Sequence, residues 1–239
     1  MGIVECRREA LVWRVRQLRR MVERDGMEIT LGRVLGRVYD RVRNARQDRS
    51  VLAGFVDDAA NRAVIEAAGI PVFVTEDYSA PAMLKVVRGL EPDILVVHTK
   101  YFVGRAVREL APVTVLGGHP GITPHYRGAY SPFWALLHGR PEMVGWTVFT
   151  LDGGMDTGPV VVQEKLDLDE FEPTVESHLT LAWRAMAREA EAQADIIRQL
   201  DRGESVDLRV IEEVPANSYF GIPRLRDFLR YKAHQRRFR

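Results

Sequence analysis

The 239-residue chain has a single cysteine, Cys6. An intramolecular disulfide is therefore excluded, and a reducing compartment is expected. Within the apolar start Gly2-Ile3-Val4-Glu5-Cys6, that thiol reads as a small packing residue rather than a reactive group. Long apolar runs are also missing: none approaches the ~20 residues of a membrane helix. The N-terminus shows no signal-peptide pattern, and Cys6 stands where a myristoylation pattern wants Ser or Thr. A cytoplasmic chain without membrane contact is expected. Charge of one sign is not in excess. With 34 basic and 33 acidic residues the formal net charge is +1, which gives no global drive toward nucleic acid. The chain lacks internal repeats, zinc-type Cys/His spacing, a Gly-x-x-x-x-Gly-Lys loop and a Gly-x-Gly-x-x-Gly turn after a strand. Structural zinc, phosphate-loop and dinucleotide readings are left without support, and no metal is expected.

Arginine is dense over residues 7–49. Leu11, Val15, Leu18 and Val22 recur at helical spacing, which predicts an amphipathic helix over 7–24, with a second over 31–42. We read the arginines as a solvated helix face. A surface for phosphates or an acidic partner is the alternative. The middle of the chain alternates: a segment over 51–56 that is short and either extended or helical, helix 61–68 closed by Gly69, strand 70–74, helix 80–90, strand 93–97, helix 104–110, strand 113–116. Asp93-Ile94-Leu95-Val96-Val97 is continuously apolar after its first residue, as suits a parallel strand covered on both faces. The alternation predicts an α/β fold with an open, mostly parallel sheet flanked by helices. Ligands in such sheets sit at the carboxyl ends of the strands, which points to residues 98–102 and 117–127. Farther on, a short helix is expected over 131–138, strands over 145–151 and 159–168, and a long helix over 174–200. The aromatic and basic tail from 210 is read as packing on the core, an interface being the alternative. Oligomeric state stays open.

Two segments carry chemistry. The first is Gly117-Gly118-His119-Pro120-Gly121-Ile122-Thr123-Pro124-His125-Tyr126-Arg127-Gly128, and the second is Asp152-Gly153-Gly154-Met155-Asp156-Thr157-Gly158. A histidine that ends a buried strand and opens a Gly/Pro-rich loop sits where open α/β sheets keep their chemistry. If Asp156 meets His119, it can fix the imidazole tautomer, and the pair can handle protons in acyl transfer. Taken singly, each also suits a structural histidine or a turn-forming aspartate.

In combination these residues resemble the folate-dependent formyltransferase family, which includes methionyl-tRNA, glycinamide ribonucleotide and sugar N-formyltransferases. Its pattern is Asn-x-His, a Ser-Leu-Leu-Pro-like loop, Tyr-Arg-Gly, a Trp-Ala helix, a Gly-x-Thr strand and Asp-Thr-Gly. The chain has, in that order, His119, Gly121-Ile122-Thr123-Pro124, Tyr126-Arg127-Gly128, Trp134-Ala135, Gly145-Trp146-Thr147 and Asp156-Thr157-Gly158. The resemblance covers residues 70–168 and extends along the helix to about 203. It implies a Rossmann-like fold and formyl-tetrahydrofolate as co-substrate. The pterin is then expected between His98, Thr99, Tyr101, Phe102 and the loop Asp152, Gly153, Gly154. His119 would stabilise the oxyanion and move protons. Asp156 would orient His119 and relay a proton through water. Gly117, Pro120, Thr123, Tyr126 and Arg127 would face the acceptor.

The chain departs from the family in two places. The family's asparagine falls at Gly117, so an oxyanion donor is missing, and losing one typically costs about a hundredfold to a thousandfold. Another donor such as a backbone N–H or Thr99, a pocket enlarged for altered chemistry, or a cleft kept only for binding would each follow. Also, Gly2–Cys6 looks like the family's second strand, so the usual first strand is expected to be missing, which leaves an open edge. We divide the chain into an arginine-rich segment 1–50 that holds a partial sheet start, a formyltransferase-like domain 51–205 and a tail 206–239. The expected activity is formyl transfer to a sugar or natural-product amine. The alternatives are formyl-folate hydrolysis or another acyl or carbamoyl chemistry, or a cleft without catalysis. The chain is too short for the extra C-terminal domain of the tRNA enzyme, which argues against nucleic acid as partner.

Overall fold

Two parallel strand pairs that do not join organise the first half of the molecule. A computed structural model describes residues 1–7, 10–55, 57–169, 171 and 176–235. The basic end 236–239, Thr174 and Val175 at the start of the expected long helix, and Val56 lie outside the described residues. Strand β1 (Ile3–Cys6) leads into α1 (Ala10–Asp25). Gly26, at φ 84°, turns the chain, and α2 (Met27–Phe55) follows. This 29-residue helix is far longer than the expected 31–42, and it absorbs the segment read as extended or helical from 51. Residues 43–50 carry almost no apolar side chains, so periodicity gives no signal there. Helix α3 (Asp58–Ala67) is capped by Asp57, whose carboxylate accepts from the Ala59 and Ala60 N–H groups. Strand β2 (Val72–Thr75) then lies parallel to β1.

After α4 (Pro81–Gly89), β3 (Ile94–Val97) and the single turn α5 (Arg105–Arg108), β4 (Thr114–His119) pairs in parallel with β3. The short β5 (Arg127–Gly128) and α6 (Ser131–Leu137) precede β6 (Gly145–Thr150) and β7 (Val160–Lys165). These last two extend the sheet in antiparallel fashion, giving the order β3-β4-β6-β7. Helix α7 (His178–Asp201) packs its Ala185 and Ile196 on Leu116, Trp146 and Val148 of the sheet. Strand β8 (Tyr219–Phe220) pairs with β5, and α8 (Leu225–Gln235) sets Phe228 and Tyr231 against Phe133 and Leu137 of α6. Helix α2 lies against both α7 and α8, so the first 50 residues and the tail share the core with the middle of the chain.

The α/β architecture with parallel ladders and flanking helices is present. No strand among the described residues joins β1 or β2 to β3, so each pair keeps an open edge where the missing first strand was expected. One expectation is corrected. Strand β3 is not covered on both faces: Val96 is 41% exposed. Cys6 is only partly buried, and its thiol donates to the Glu76 carbonyl at 3.4 Å. Among the described residues, no helix is long and apolar enough to cross a membrane.

Candidate active site

His119 is the last residue of β4, buried at 4% exposure. Its Nε2 lies 2.7 Å from the Tyr126 carbonyl and 2.9 Å from Ser131 Oγ. A carbonyl only accepts, so Nε2 carries the proton of the neutral ring and Nδ1 is left for exchange. Nδ1 faces Asp156 Oδ2 at 3.7 Å. Asp156 is held from the other side by the Gly128 N–H, which donates to Oδ2 at 2.8 Å. Its backbone has φ 53°, a left-handed conformation that aspartate tolerates better than most residues. Gly128 has φ 90°, and a Cβ there would lie 2.4 Å from the Phe220 carbonyl. The β5–β8 pairing thus needs glycine at the residue whose N–H fixes Asp156.

The two segments expected to flank the pterin each make contacts of their own. On one, Thr99 Oγ1 accepts from the Tyr78 hydroxyl at 3.3 Å and from the Tyr101 N–H at 3.1 Å. Tyr101 packs edge-on against Trp13, and Lys100 Nζ sits over both rings at 5.3 and 5.4 Å. Phe102 is exposed, and His98 is half exposed. On the other wall, Asp152 accepts from the Gly154 N–H and the Thr157 hydroxyl, which closes the glycine loop on itself. Gly153 lies at the tip, with Arg108 Nη2 4.0 Å from its ideal Cβ position.

The loop expected to face an acceptor turns much of itself inward. Thr123 is buried, and its carbonyl accepts from Gln163 Nε2 at 2.7 Å. Tyr126 stacks on Phe220 at 5.3 Å, and burial pushes its phenol up from the ordinary range. Arg127 donates to Ser218 Oγ and to the Met155 carbonyl, tying the loop to the second wall. Pro120 is partly exposed. These side chains shape the loop, and among them Pro120 and Arg127 keep exposed surface. At Gly117 a Cβ would meet Leu151 Cδ1 at 2.4 Å and the Phe149 ring at 3.1 Å. The space that a side chain at 117 would need is thus occupied by Leu151 and Phe149.

Sequence reasoning missed two groups. Glu189 on α7 is buried at 1% exposure, with Oε1 3.4 Å from His98 Nδ1 and Oε2 without a hydrogen-bond partner. Burial pushes its carboxyl up to about 8, and the negative charge of Asp156 adds to this. Arg108 on α5 has a buried Nη1 without a partner. The glycine pair in β4 was the available signal for Glu189, since glycine inside a strand marks close approach of another group.

Comparison with known proteins gives a consistent picture. A family model described as formyl transferase matches residues 30–194. A methionyl-tRNA formyltransferase of Anaeromyxobacter dehalogenans is 35% identical over 153 residues, covering 64% of this chain and 47% of that protein. One from Chloroflexus aggregans is 35% identical over 136 residues, covering 56% of this chain and 42% of its own. The chain thus spans about half the length of these relatives. Among solved structures, a sugar N-formyltransferase from a Shewanella species superposes with TM-score 0.53 at 15% identity, covering 98% of this chain and 87% of its own. Glycinamide ribonucleotide transformylase 1 of Symbiobacterium toebii gives 0.52 at 21% identity, covering 66% and 77%. At these identities the two structures speak for the fold.

Proposed function

This chain belongs to the formyl transferase family, and we propose that it moves a formyl group from formyl-tetrahydrofolate to an amine of a small molecule, a sugar or natural-product amine. The observation that carries this reading is the meeting of His119 Nδ1 with Asp156 Oδ2 at the carboxyl end of β4. The residues present fit a flat, polar co-substrate. Phe102 offers an exposed aromatic face, and Arg108 Nη1 and Glu189 Oε2 are buried polar atoms still without partners beside the walls. The segment from His98 to Phe102 and the loop from Asp152 to Asp156 would hold the folate. When bound, the folate supplies a formyl carbon attached to a nitrogen leaving group.

The chain's own groups then divide the proton work. Tyr126 and Ser131 lock the His119 ring through Nε2, so Nδ1 is the nitrogen that takes a proton from the attacking amine. Asp156, fixed by the Gly128 N–H, stabilises the imidazolium charge that results. Gly117 supplies no side-chain donor, which leaves a backbone N–H of the 117–121 segment, Thr99 or the charged His119 itself to meet negative charge. The hydrolytic alternative needs water in the space above Gly117, and the filling of that space by Leu151 and Phe149 argues against it.

Incubating the protein with formyl-tetrahydrofolate and a panel of amino-sugars and small amines, and following tetrahydrofolate, tests the reading. Amine-dependent release that disappears in His119→Ala is expected. Release that ignores the amine would favour hydrolysis. Folate binding without any release would leave a cleft kept for binding alone.

A further inference from the structure

Glu189 lies on the face of α7 turned to the sheet, one turn before Gln193, which is also buried and has unpartnered side-chain atoms. A carboxyl at this depth is costly unless something uses it. The strand beside it explains how it fits. A Cβ at Gly118 would lie 1.6 Å from Glu189 Oε1 and 2.0 Å from its Cδ, so the carboxyl fills the volume that any side chain at 118 would need. Side chains alternate along a strand, so position 118 faces α7 while Gly117 and His119 face the other way. Glu189 therefore enters β4 from the helix side, next to His119. Its Oε1 reaches to 3.4 Å from His98 Nδ1, on the first residue beyond β3.

We propose that Glu189 is a positioning residue of the cleft: through the opening that Gly118 leaves in β4 it holds the His98 imidazole, and with it the wall from His98 to Phe102, in place for the folate. The folate part rests on the formyl-transfer reading above; the contact with His98 does not.

The protonation state follows from the surroundings. Among the described residues, His98 beyond β3 lies 3.4 Å from the carboxyl, the charge of Asp156 in the glycine loop acts on it, and His119 follows Gly118 on β4. Strand β6 and helix α6, both packed on α7, carry no titratable side chain. Helix α2 brings Asp40 and Asp48, but these engage His178 and Ser177 at the start of α7. With its carboxyl up at about 8, Glu189 is a neutral acid at pH 7 with a proton to donate to the imidazole nitrogen. Above that pH the donor is lost.

The test uses the full chain and three variants. Losing this contact in Glu189→Ala is expected to raise the folate KM on the order of tenfold while kcat changes less than about threefold. Gly118→Val keeps the carboxyl in the chain but displaces it, and it should give the same split. Glu189→Gln, near-isosteric and a permanent donor, should bring the KM back to within about threefold of wild type at pH 7. It should also abolish the KM rise that wild type shows as pH passes 8. Imidazole nitrogen NMR of His98 in the ligand-free protein provides a readout independent of turnover, and its signals should shift in all three variants. Folded Glu189→Ala and Gly118→Val proteins with unchanged KM and unchanged His98 signals would overturn the proposal. His98 signals that move in a wild type and variants without transferase activity would uphold the contact and sink the formyl-transfer reading instead.

Discussion

The two sides of β4 are built differently. Toward β6 and β7 the sheet is paired strand by strand, α7 packs on it, and α6 and α8 pack behind, with side chains such as Phe133, Val148, Leu181 and Phe228 almost fully buried. Toward β3 the ladder stops. Val96 is exposed, β1 and β2 form a separate pair, and α1 and α2 display Val15, Leu31, Leu35, Val38 and Val42 to solvent. The proposed reacting groups, His119 and Asp156, belong to the closed side, His119 at the end of β4 and Asp156 held by the Gly128 N–H. The candidate folate wall from His98 to Phe102 belongs to the open side. The contrast suggests a division of labour. Buried packing surrounds His119, while the segment from His98 to Phe102 engages its neighbours through contacts such as Thr99 to Tyr78, Tyr101 to Trp13, and His98 to Glu189.

Four measurements sharpen or break that contrast. The largest effect is expected at the anchored pair. His119→Ala should slow tetrahydrofolate release roughly a thousandfold, within the range for removing a general base, and Asp156→Asn should act in the same direction with less loss. Next comes the closed core. Phe133, at 0% exposure among Phe228, Tyr231 and His178, should cost about 3–5 kcal/mol when cut to alanine, read by urea unfolding. A loss below about 1 kcal/mol there would mean the closed side is no tighter than the open one.

The third effect is a pH dependence. The folded-state carboxyl of Glu189 sits near 8, above its ordinary 4.5. Its contribution to stability is therefore fully present below pH 4.5 and is lost as pH rises through 8. Glu189→Gln does not titrate. Wild type should lose stability against this variant by up to about 1.4 kcal/mol per pH unit across that window, measured by urea unfolding at pH 5 and pH 7.5. Parallel profiles would mean the carboxyl is not held neutral. The smallest effect belongs to the open side: Val42→Ser, at a site 76% exposed, should shift stability by no more than about 0.5 kcal/mol.

Local signals made the closed side readable from sequence. The β-branched runs around Asp152–Gly158 pointed to β6 and β7, and the structure brings together His119, at the end of β4, and Asp156, in the glycine loop between β6 and β7. Three features were not readable. The length of α2 was missed because residues 43–50 carry almost no apolar side chains to set a period. The exposure of Val96 depends on which strands reach β3, and a continuous apolar run gives no information on that. Glu189 looked like any charge on a long helix. Only the neighbouring Gly118, 71 positions earlier in the chain, makes room for it.

The most direct test of the central claim is to follow a labelled formyl group from formyl-tetrahydrofolate onto an amine in a single turnover, with wild type, His119→Ala and Gly117→Asn side by side. We expect label on a small-molecule amine with wild type and none with His119→Ala. We also expect no gain with Gly117→Asn, whose side chain must displace Leu151. Label transferred equally by His119→Ala would contradict the assignment of proton transfer to the His119–Asp156 pair.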